Sequence, residues 1–211
     1  AKELAKNLGV NFIDKNLSTL INQINLNLKD DFKNLKPDIT EENIQARSRG
    51  LILMALANKK NGIVLSTSNK SESAVGYSTL YGDMVGAYAP IKDIPKTLIY
   101  KISEFINSNE NIIPERIITR APSAELKPNQ TDQDSLPAYN ELDKIIELFI
   151  DEGQSADKII SMGFKAQTVK KIVKLILRSE FKRRQSPPGP KITRKAFGRE
   201  RRFPITNNFL G

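Results

Sequence analysis

The alternation of hydrophobic and polar positions along the chain predicts amphipathic helices and short apolar strands. Apolar residues recur at helical spacing in residues 17–28 and again in residues 40–59, and each stretch predicts a helix. Residues 1–8 have the pattern of a shorter helix. Two apolar runs, at residues 10–13 and 63–67, are expected to form strands. Because a helix leads directly into an apolar strand without a hairpin turn, we expect an α/β fold in which a parallel sheet is flanked by helices.

The middle of the chain alternates between loop-like and helical stretches. Residues 68–92 are rich in Ser, Gly and Tyr and carry little periodicity, so we expect an exposed loop. Residues 96–105 follow Pro95 and have a helical pattern. Residues 120–137 are polar and rich in proline, which predicts an irregular segment.

The last third of the chain is helical until a run of prolines ends the pattern. Three helices are expected, at residues 139–150, 156–162 and 166–181. Pro187-Pro188-Gly189-Pro190 then excludes a helix and predicts an extended tail. We therefore divide the chain into three parts: an α/β part at 1–137, a helical part at 138–182 and an extended basic tail at 183–211.

The positive charge of the chain belongs mainly to this tail. The net charge is +9, and residues 182–202 carry nine Lys or Arg against one acid, Glu200. Two interpretations stay open: a general polyanion-binding tail, or a dedicated site for phosphates. Single-stranded nucleic acid binding usually places aromatic residues among the cations. Phe197 and Phe203 are the candidates here, so nucleic acid is the less favoured partner.

Composition excludes several kinds of chemistry. The chain has no Cys and no His, which excludes disulfides, Cys-ligated metals and the commonest general base. No apolar run approaches the roughly 18 residues of a membrane helix, and the N-terminus lacks a signal-peptide core. A cytoplasmic, non-membrane protein is expected. The chain opens within a helical pattern and without Met, so we expect a fragment.

Three segments carry candidate chemistry before any family is considered. One is the cationic stretch at 181–185 followed by Lys191, for which the alternative is that cations are favoured at the end of a helix by its dipole. Asn43 and Arg47 are four residues apart and share a helix face, where a guanidinium beside an amide suits a phosphate or ribose; a solvated helix face is the alternative. Thr67 ends the second predicted strand and Glu72 follows five residues later, at the position where open α/β sheets bind ligands. Glu72 suits a Mg²⁺ ion held by nucleotide phosphates, and an ordinary loop with a helix cap is the alternative there.

A series of sequence blocks resembles the glutamine-dependent NAD synthetases, in the order of that family. The blocks are Glu-Asn-Ile-Gln-Ala-Arg (42–47), Ser-Thr-Ser-Asn-Lys-Ser-Glu (66–72), Gly-Tyr-Ser-Thr-Leu-Tyr-Gly-Asp (76–83), Lys-Asp-Ile-Pro-Lys (92–96), Arg-Ala-Pro-Ser-Ala-Glu-Leu (120–126), Gln-Thr-Asp-Gln-Asp-Ser-Leu-Pro (130–137) and the tail (182–207). The tail, with its proline turn and Phe-Gly-Arg-Glu-Arg-Arg, is similar to the bacterial glutamine-using branch. The resemblance implies the adenine-nucleotide alpha-hydrolase-like, Rossmann-like fold, truncated at its N-terminus.

The resemblance also implies an activity and a set of binding residues. The family adenylates deamido-NAD with ATP and Mg²⁺, and ammonia from a glutaminase domain then displaces AMP to give NAD. By this resemblance, ATP is bound by Thr67, Lys96 and Ser123, and Mg²⁺ by Glu72. Deamido-NAD is bound by Asn43, Arg47, Tyr77, Ser78, Thr79, Leu80, Tyr81, Gly82, Phe181 and Lys182. A homo-oligomer formed through the synthetase domain is also implied, whereas no catalytic residue is assigned.

The chain departs from the family pattern in three ways, of which the last two limit the expected activity. Leu80 and Ala87 stand where the ammonia-dependent branch has a substrate-binding lysine and aspartate, so that part of the resemblance fails and supports the glutamine-using branch. None of the eleven glycines is next to another, so the family's glycine loop for pyrophosphate is missing. The amidase domain is missing as well. We therefore expect the isolated chain to be an inactive piece of the ligase; the rival interpretation is a non-catalytic or polyanion-binding fragment.

Overall fold

The computed structural model describes residues 1–127, 129–198 and 200–206. The described residues form ten α-helices. These are α1 (Lys2–Asn7), α2 (Ser18–Asn27), α3 (Ile39–Lys59), α4 (Lys70–Val75), α5 (Lys96–Asn109), α6 (Glu115–Thr119), α7 (Tyr139–Ile146), α8 (Ala156–Ser161), α9 (Ala166–Arg178) and α10 (Glu180–Arg183). A 3₁₀ turn covers Asp132–Asp134, and a π-helical turn at Glu147–Asp151 continues α7. No helix in these ranges is long and apolar enough to cross a membrane.

Helix α3 was predicted from its apolar spacing, and the structure adds a reciprocal cap at its start. The side chain of Asp38 accepts a hydrogen bond from Thr40 N at 2.7 Å, and Glu41 Oε2 accepts one from Asp38 N at 2.8 Å. This capping box satisfies N–H groups that a helix start leaves without partners. The buried residues of the helix are Ile44, Ala46, Ser48 and Gly50. Leu51, Leu53 and Met54 are exposed, so the second half of α3 presents much of its apolar surface to solvent.

The predicted parallel sheet is wrong for the described part of the chain. No β-strand forms there, and residues 10–13 have no regular structure. Within residues 63–67, Leu65 makes an isolated parallel bridge with Tyr88, and Ser66 N donates to Tyr88 O at 2.9 Å. A strand requires a continuous ladder with a neighbouring chain segment. Gly86 (φ +147°) lies so near that a Cβ would be 2.8 Å from Val64 O, but this approach supplies too few residue pairs for a strand.

The hydrophobic core lies in the helical part of the chain, where helices were predicted. Its most buried members come from α4, α7, α8, α9 and the π-helical turn and include Leu142, Ile145, Ile150, Ile172 and Ile176. The predicted helix at 166–181 is divided at Ser179 into α9 and α10. The proposed division of the chain into three parts stays a prediction.

The segment predicted as a loop at 68–92 contains helix α4. Its N-cap residue is Asn69, whose side chain accepts from Glu72 N at 3.0 Å, and it ends at Gly76 in the left-handed conformation (φ +69°). Asn69 and Glu72 thus form a second capping box. The prediction was wrong because a six-residue helix is too short to produce a visible period.

The basic tail is not helical, as the prolines predict, but it is bound to the rest of the molecule. Ala89 N donates to Pro188 O at 2.9 Å, and Ile192 N donates to Asp93 Oδ2 at 2.7 Å. The Phe203 ring stacks on Phe149 with a centroid distance of 6.3 Å. The described tail therefore follows the protein surface through specific contacts. The end of the tail predicted from the sequence, residues 207–211, lies outside the described residues.

Candidate nucleotide and dinucleotide site

The start of α4 brings Glu72 and Lys96 together, although they are far apart in sequence. Lys96 Nζ lies 3.5 Å from Glu72 Oε1, and both side chains are about one-fifth exposed. Glu72 Oε2 accepts the backbone N–H of Asn69 at 3.2 Å. Burial raises the pKa of the Glu72 carboxyl, and the ammonium of Lys96 opposes this change. One carboxylate oxygen therefore caps the helix while the other faces a cation at the surface.

Ser71 fixes the position of Lys96 by joining three helices. Its hydroxyl donates to Asp143 of α7 and accepts the backbone N–H of Lys96 at 2.8 Å. The next residue, Thr97, donates to Asp143 Oδ2 through its N–H at 2.9 Å and its hydroxyl at 2.8 Å. The first turn of α5 is thus held against α4 and α7 by these side-chain hydrogen bonds.

Lys96 and Ser123 share a cavity of about 660 Å³. Ser123 Oγ accepts the N–H of Glu125 at 3.1 Å. Four cationic side chains line this cavity against two carboxylates: Lys2, Lys96, Arg116 and Arg120 against Glu3 and Glu125. Such a balance favours an anionic ligand such as a polyphosphate. Thr67 is exposed and lies outside this lining, so two of the three predicted ATP residues are brought to one cavity.

The predicted deamido-NAD residues of α3 and of the loop 77–82 lie against each other. Thr79 Oγ1 donates to Asn43 Oδ1 at 2.9 Å, and Arg47 Nε donates to Leu80 O at 3.2 Å. The close approach requires Gly82, where a Cβ would lie 2.9 Å from the Cβ of Ala46. The Asn43 and Arg47 face is therefore a loop contact and not simply a solvated helix surface. Arg47 remains exposed, which leaves part of its guanidinium accessible to a ligand.

The remaining loop residues connect this surface to α10. Lys182 Nζ donates to Gly76 O at 2.8 Å and to Ser78 O at 2.6 Å. Burial lowers the pKa of the Lys182 ammonium, and Asp83 opposes this change. Tyr81 has a left-handed backbone (φ +63°) and donates its hydroxyl to Gln185 at 2.9 Å. Lys182 thus donates two of its three N–H groups to the loop. The neighbouring Phe181 side chain is exposed.

A buried carboxylate near this site was not among the predicted residues. Tyr139 donates its hydroxyl to Asp132 Oδ2 at 2.6 Å, while Asp132 Oδ1 is buried without a hydrogen-bond partner in the described residues. Burial is the largest cause of the raised pKa of Tyr77 and of Tyr139, and Asp132 adds to both. Lys96 Nζ lies 5.7 Å above the Tyr139 ring. Asp132 lies in the family-like sequence block at 130–137. The sequence did not reveal that its side chain contacts a tyrosine.

Several cations in the described part of the tail region have intramolecular partners, which weakens the polyanion-binding interpretation. Arg183 is buried and ion-paired with Glu180 at 3.0 Å, and Arg184 pairs with the same carboxylate group at 2.6 Å. Lys191 lies 3.4 Å from Glu200. These contacts neutralise part of the charge that the sequence concentrates here, so the tail is not a free basic arm.

No group of three or more potential metal-ligating side chains occurs among the described residues. A metal at Glu72 would therefore receive most of its ligands from phosphate oxygens and water. Mg²⁺ is usually bound in that way, by one or two carboxylates together with substrate phosphates. The single outward-facing oxygen of Glu72 fits this requirement.

Comparison with known proteins identifies the family of this chain. The family described as NAD synthase matches residues 1–186. The glutamine-dependent NAD(+) synthetase of Xanthomonas campestris is 54% identical over 182 residues, which is 85% of this chain and 33% of that protein. The glutamine-dependent NAD(+) synthetase structure from Cytophaga hutchinsonii matches with a TM-score of 0.82 at 28% identity. The match covers 99% of this chain and 36% of the Cytophaga chain.

A second solved structure, the glutamine-dependent NAD+ synthetase of Acinetobacter baumannii in complex with adenosine diphosphate, is 45% identical with a TM-score of 0.56. It covers 98% of this chain, and this chain corresponds to 37% of its length. The chain thus spans about a third of the length of the relatives it matches. On the strength of the family match across residues 1–186, the chain belongs to the NAD synthase family.

Proposed function

We propose that this chain forms part of the synthetase site of a glutamine-dependent NAD synthetase. The reaction is the ATP-dependent amidation of deamido-NAD to NAD through an adenylated intermediate, with ammonia derived from glutamine. The observation that carries the proposal is the position of helix α4. Its first turn holds Glu72 against Lys96, and Gly76 at its end accepts from Lys182. A six-residue helix is about 9 Å long, so the two predicted substrate surfaces lie next to each other.

On the nucleotide side, the chain supplies cations and one metal ligand. Lys96 and Ser123 line a cavity rich in positive charge, and the relative from Acinetobacter baumannii has been solved with adenosine diphosphate. Mg²⁺, when bound, would shield the negative charge of the phosphates. Glu72 would hold it through the oxygen not used in the helix cap. Thr67 would reach the nucleotide from the exposed end of the segment that follows Leu65.

On the dinucleotide side, the chain supplies a preformed surface. Thr79 donates to Asn43, and Arg47 donates to the carbonyl of Leu80, so both contacts between α3 and the loop are already formed. A surface that is ordered before binding loses less conformational entropy when the ligand arrives. Arg47 would contact a phosphate or ribose of deamido-NAD with the exposed part of its guanidinium. Lys182 would order the loop 76–82 on which the substrate rests and offer its remaining N–H to it.

The missing sheet is consistent with the share of the family that this chain represents. The described residues contain a parallel bridge at Leu65 and exposed apolar side chains at Ile63 and Leu65. We infer that residues 63–66 become a strand of a Rossmann-like parallel sheet when the rest of the synthetase domain is present. The chain alone would then be an incomplete piece of the ligase, and a glutaminase domain would supply its ammonia.

The proposal is tested by calorimetric titration of the chain with ATP and Mg²⁺, and separately with deamido-NAD. Lys96→Ala should weaken ATP binding by about 1.5–3 kcal/mol, the range for a hydrogen bond to a charged group. Lys101→Ala removes an exposed lysine of the same helix and should have little effect. A parallel titration with a DNA or RNA oligomer tests the alternative. Steeply salt-dependent oligomer binding without any response to either nucleotide would contradict the proposal.

A further inference from the structure

Lys70 is a fully buried cation beside the proposed site. Its side chain is 1% exposed, and its Nζ lies 2.9 Å from Asp151 and 3.6 Å from Asp93. Nζ also donates to Thr193 Oγ1 at 2.6 Å. A buried ammonium is tolerated when it is paired and hydrogen-bonded. Lys70 meets both conditions within the protein, and its buried charge is not available to a ligand.

The tail completes the environment of this lysine. Asp93 is 2% exposed and accepts from Ile192 N at 2.7 Å, Thr193 N at 2.6 Å and Thr193 Oγ1 at 2.8 Å. Asp151 Oδ1 accepts from Lys195 N at 2.8 Å. The group formed by Lys70, Asp93, Asp151 and Thr193 is called the Lys70 clasp below. It joins α4, the segment before α5, the π-helical turn and the tail.

The charges of the clasp make it dependent on the tail. One ammonium faces two carboxylates, so its side chains carry a net charge of −1. Backbone N–H groups of the tail supply the donors that satisfy the remaining carboxylate lone pairs. If residues 192–195 leave the surface, buried Asp93 loses three hydrogen bonds and the cluster holds an excess negative charge. A buried charge that loses its partners is strongly unfavourable, so the clasp must rearrange when the tail undocks.

The clasp is connected to the proposed site through adjacent residues. Lys70 N donates to Ile94 O at 3.0 Å, two residues before Lys96. Ser71, the residue after Lys70, accepts from Lys96 N, and Glu72 follows with its carboxylate 3.5 Å from Lys96 Nζ. A displacement of Lys70 therefore changes the separation of α4 and the first turn of α5, on which the Glu72 and Lys96 pair depends.

We propose that Lys70 is a positioning residue that makes the geometry of the Glu72 and Lys96 pair depend on the docking of residues 192–195. The tail acts through Lys70 and does not touch the ligand. An effect of tail docking on Mg²⁺ and ATP binding rests on the proposed function. The coupling between the tail and the Glu72 and Lys96 pair does not. A purely local stabilising pair would not need partners from three other segments, one of them more than a hundred residues away.

The test measures amide hydrogen exchange of the chain in Thr193→Val, with Thr206→Val as a matched control on an exposed threonine of the same tail. Thr193→Val removes the hydroxyl that Lys70 and Asp93 share. Protection at Thr193 N and Lys195 N should fall by roughly tenfold to a hundredfold, the effect of losing a hydrogen bond to a charged group. Protection at Glu72 N and Lys96 N should fall by roughly tenfold, because the proposal couples their geometry to the docking of the tail. Core amides of α9 should be unchanged.

Two results would overturn the inference. Loss of protection in the tail with no change at Glu72 and Lys96 would mean that docking and site are independent. Equal loss in α9 would mean that the clasp only stabilises the whole fold. Unchanged protection everywhere would also count against it. Lys70→Met, compared with Lys174→Met on the exposed face of α9, is the second variant, and it should open the tail and the pair together.

A nucleotide titration separates this inference from the proposed function. If the unmodified chain binds Mg²⁺ and ATP, Thr193→Val should weaken that binding by about tenfold, whereas Thr206→Val should not. If the unmodified chain binds no nucleotide, the proposed function fails. The exchange data at Glu72 and Lys96 still decide whether the tail controls the pair.

Discussion

Single side chains in this site perform a structural and a chemical task at once. Glu72 caps α4 with one carboxylate oxygen and directs the other toward Lys96. Its chemical task was expected from its position after an apolar segment, and its structural task was the alternative considered for the same residue. The two do not exclude each other. Lys70 was not assigned a task because its partner Asp151 lies 81 residues away. Asp132 was not assigned one because Tyr139, although only seven residues away, lies in a different helix, so no single helical period relates the two.

Glu72 should make stability depend on pH in a defined direction. Burial raises the folded pKa of its carboxyl above the ordinary 4.5, so the folded state binds this proton more tightly than the unfolded state. The stability contributed by the proton is present below pH 4.5 and is lost as pH rises through the raised pKa, at no more than about 1.4 kcal/mol per pH unit.

Glu72→Gln is the comparison variant, because an amide oxygen still accepts from Asn69 N but does not titrate. Urea unfolding between acidic and neutral pH should show the stability of the unmodified chain falling relative to Glu72→Gln. A relative rise over the same range would contradict the assigned cause. Binding of Mg²⁺ and ATP should have the opposite pH dependence, since the metal requires the carboxylate.

Helices with strong periodicity or strong caps were predictable, whereas elements defined by distant partners were not. The long helix α3 follows from its apolar spacing and its acidic first turn, and α7 and α9 follow from their patterns. Residues 63–67 read as a strand because they are apolar, but a strand exists only if a neighbour pairs with it. The loop at 77–82 was placed by family resemblance, and its contact with α3 depends on a glycine whose role appears only in three dimensions.

Gly82→Ala should separate the loop 77–82 from α3. The added Cβ would lie 2.9 Å from Ala46 Cβ and 3.1 Å from the Ala46 carbonyl carbon, and the backbone of a helix cannot yield easily. The free energy of unfolding should fall by about 1–3 kcal/mol, as for other overpacked contacts. Gly62→Ala is the control, since nothing lies within 4 Å of its added Cβ. Urea unfolding provides the measurement, and equal stability of the two variants would refute the packing argument.

At the scale of the whole molecule, apolar surface is unevenly distributed. The core lies among α4, α7, α8 and α9, while several large hydrophobic side chains of α3 and the segment after it are exposed: Leu51 (60%), Leu53 (47%), Met54 (39%), Ile63 (69%) and Leu65 (52%). An exposed apolar surface of this kind is typical of an interface. We expect α3 to contribute to self-association.

Leu51→Glu should weaken that self-association in sedimentation velocity experiments. A charge placed in an apolar contact is unfavourable, whereas the same charge on an exposed helix position leaves the fold intact. Leu26→Glu is the matched control because Leu26 is similarly exposed, at 63%, on α2. If the unmodified chain is monomeric at all concentrations, or if both variants behave alike, α3 is not the interface.

The chain by itself should not form NAD from deamido-NAD, ATP, Mg²⁺ and ammonium. None of its glycines is adjacent to another, so it lacks a Gly-Gly loop whose backbone N–H groups bind pyrophosphate. Loss of a single preorganised donor costs roughly 10²–10³ in rate, and here a whole loop is absent. Addition of the preceding synthetase segment from a relative should restore ammonia-dependent synthesis. Turnover by the 211-residue chain without addition would show that the pyrophosphate site lies elsewhere in it.

The distance in sequence between Lys70 and Thr193 has a consequence for biosynthesis. The two residues are 123 positions apart, and ribosomes add about 5–20 residues per second. During roughly 6–25 seconds of elongation, the emerging lysine has none of its tail partners. The Lys70 clasp therefore closes only after residues 192–195 have left the ribosome, and by the proposed coupling the adjacent Glu72 and Lys96 pair reaches its final arrangement only then.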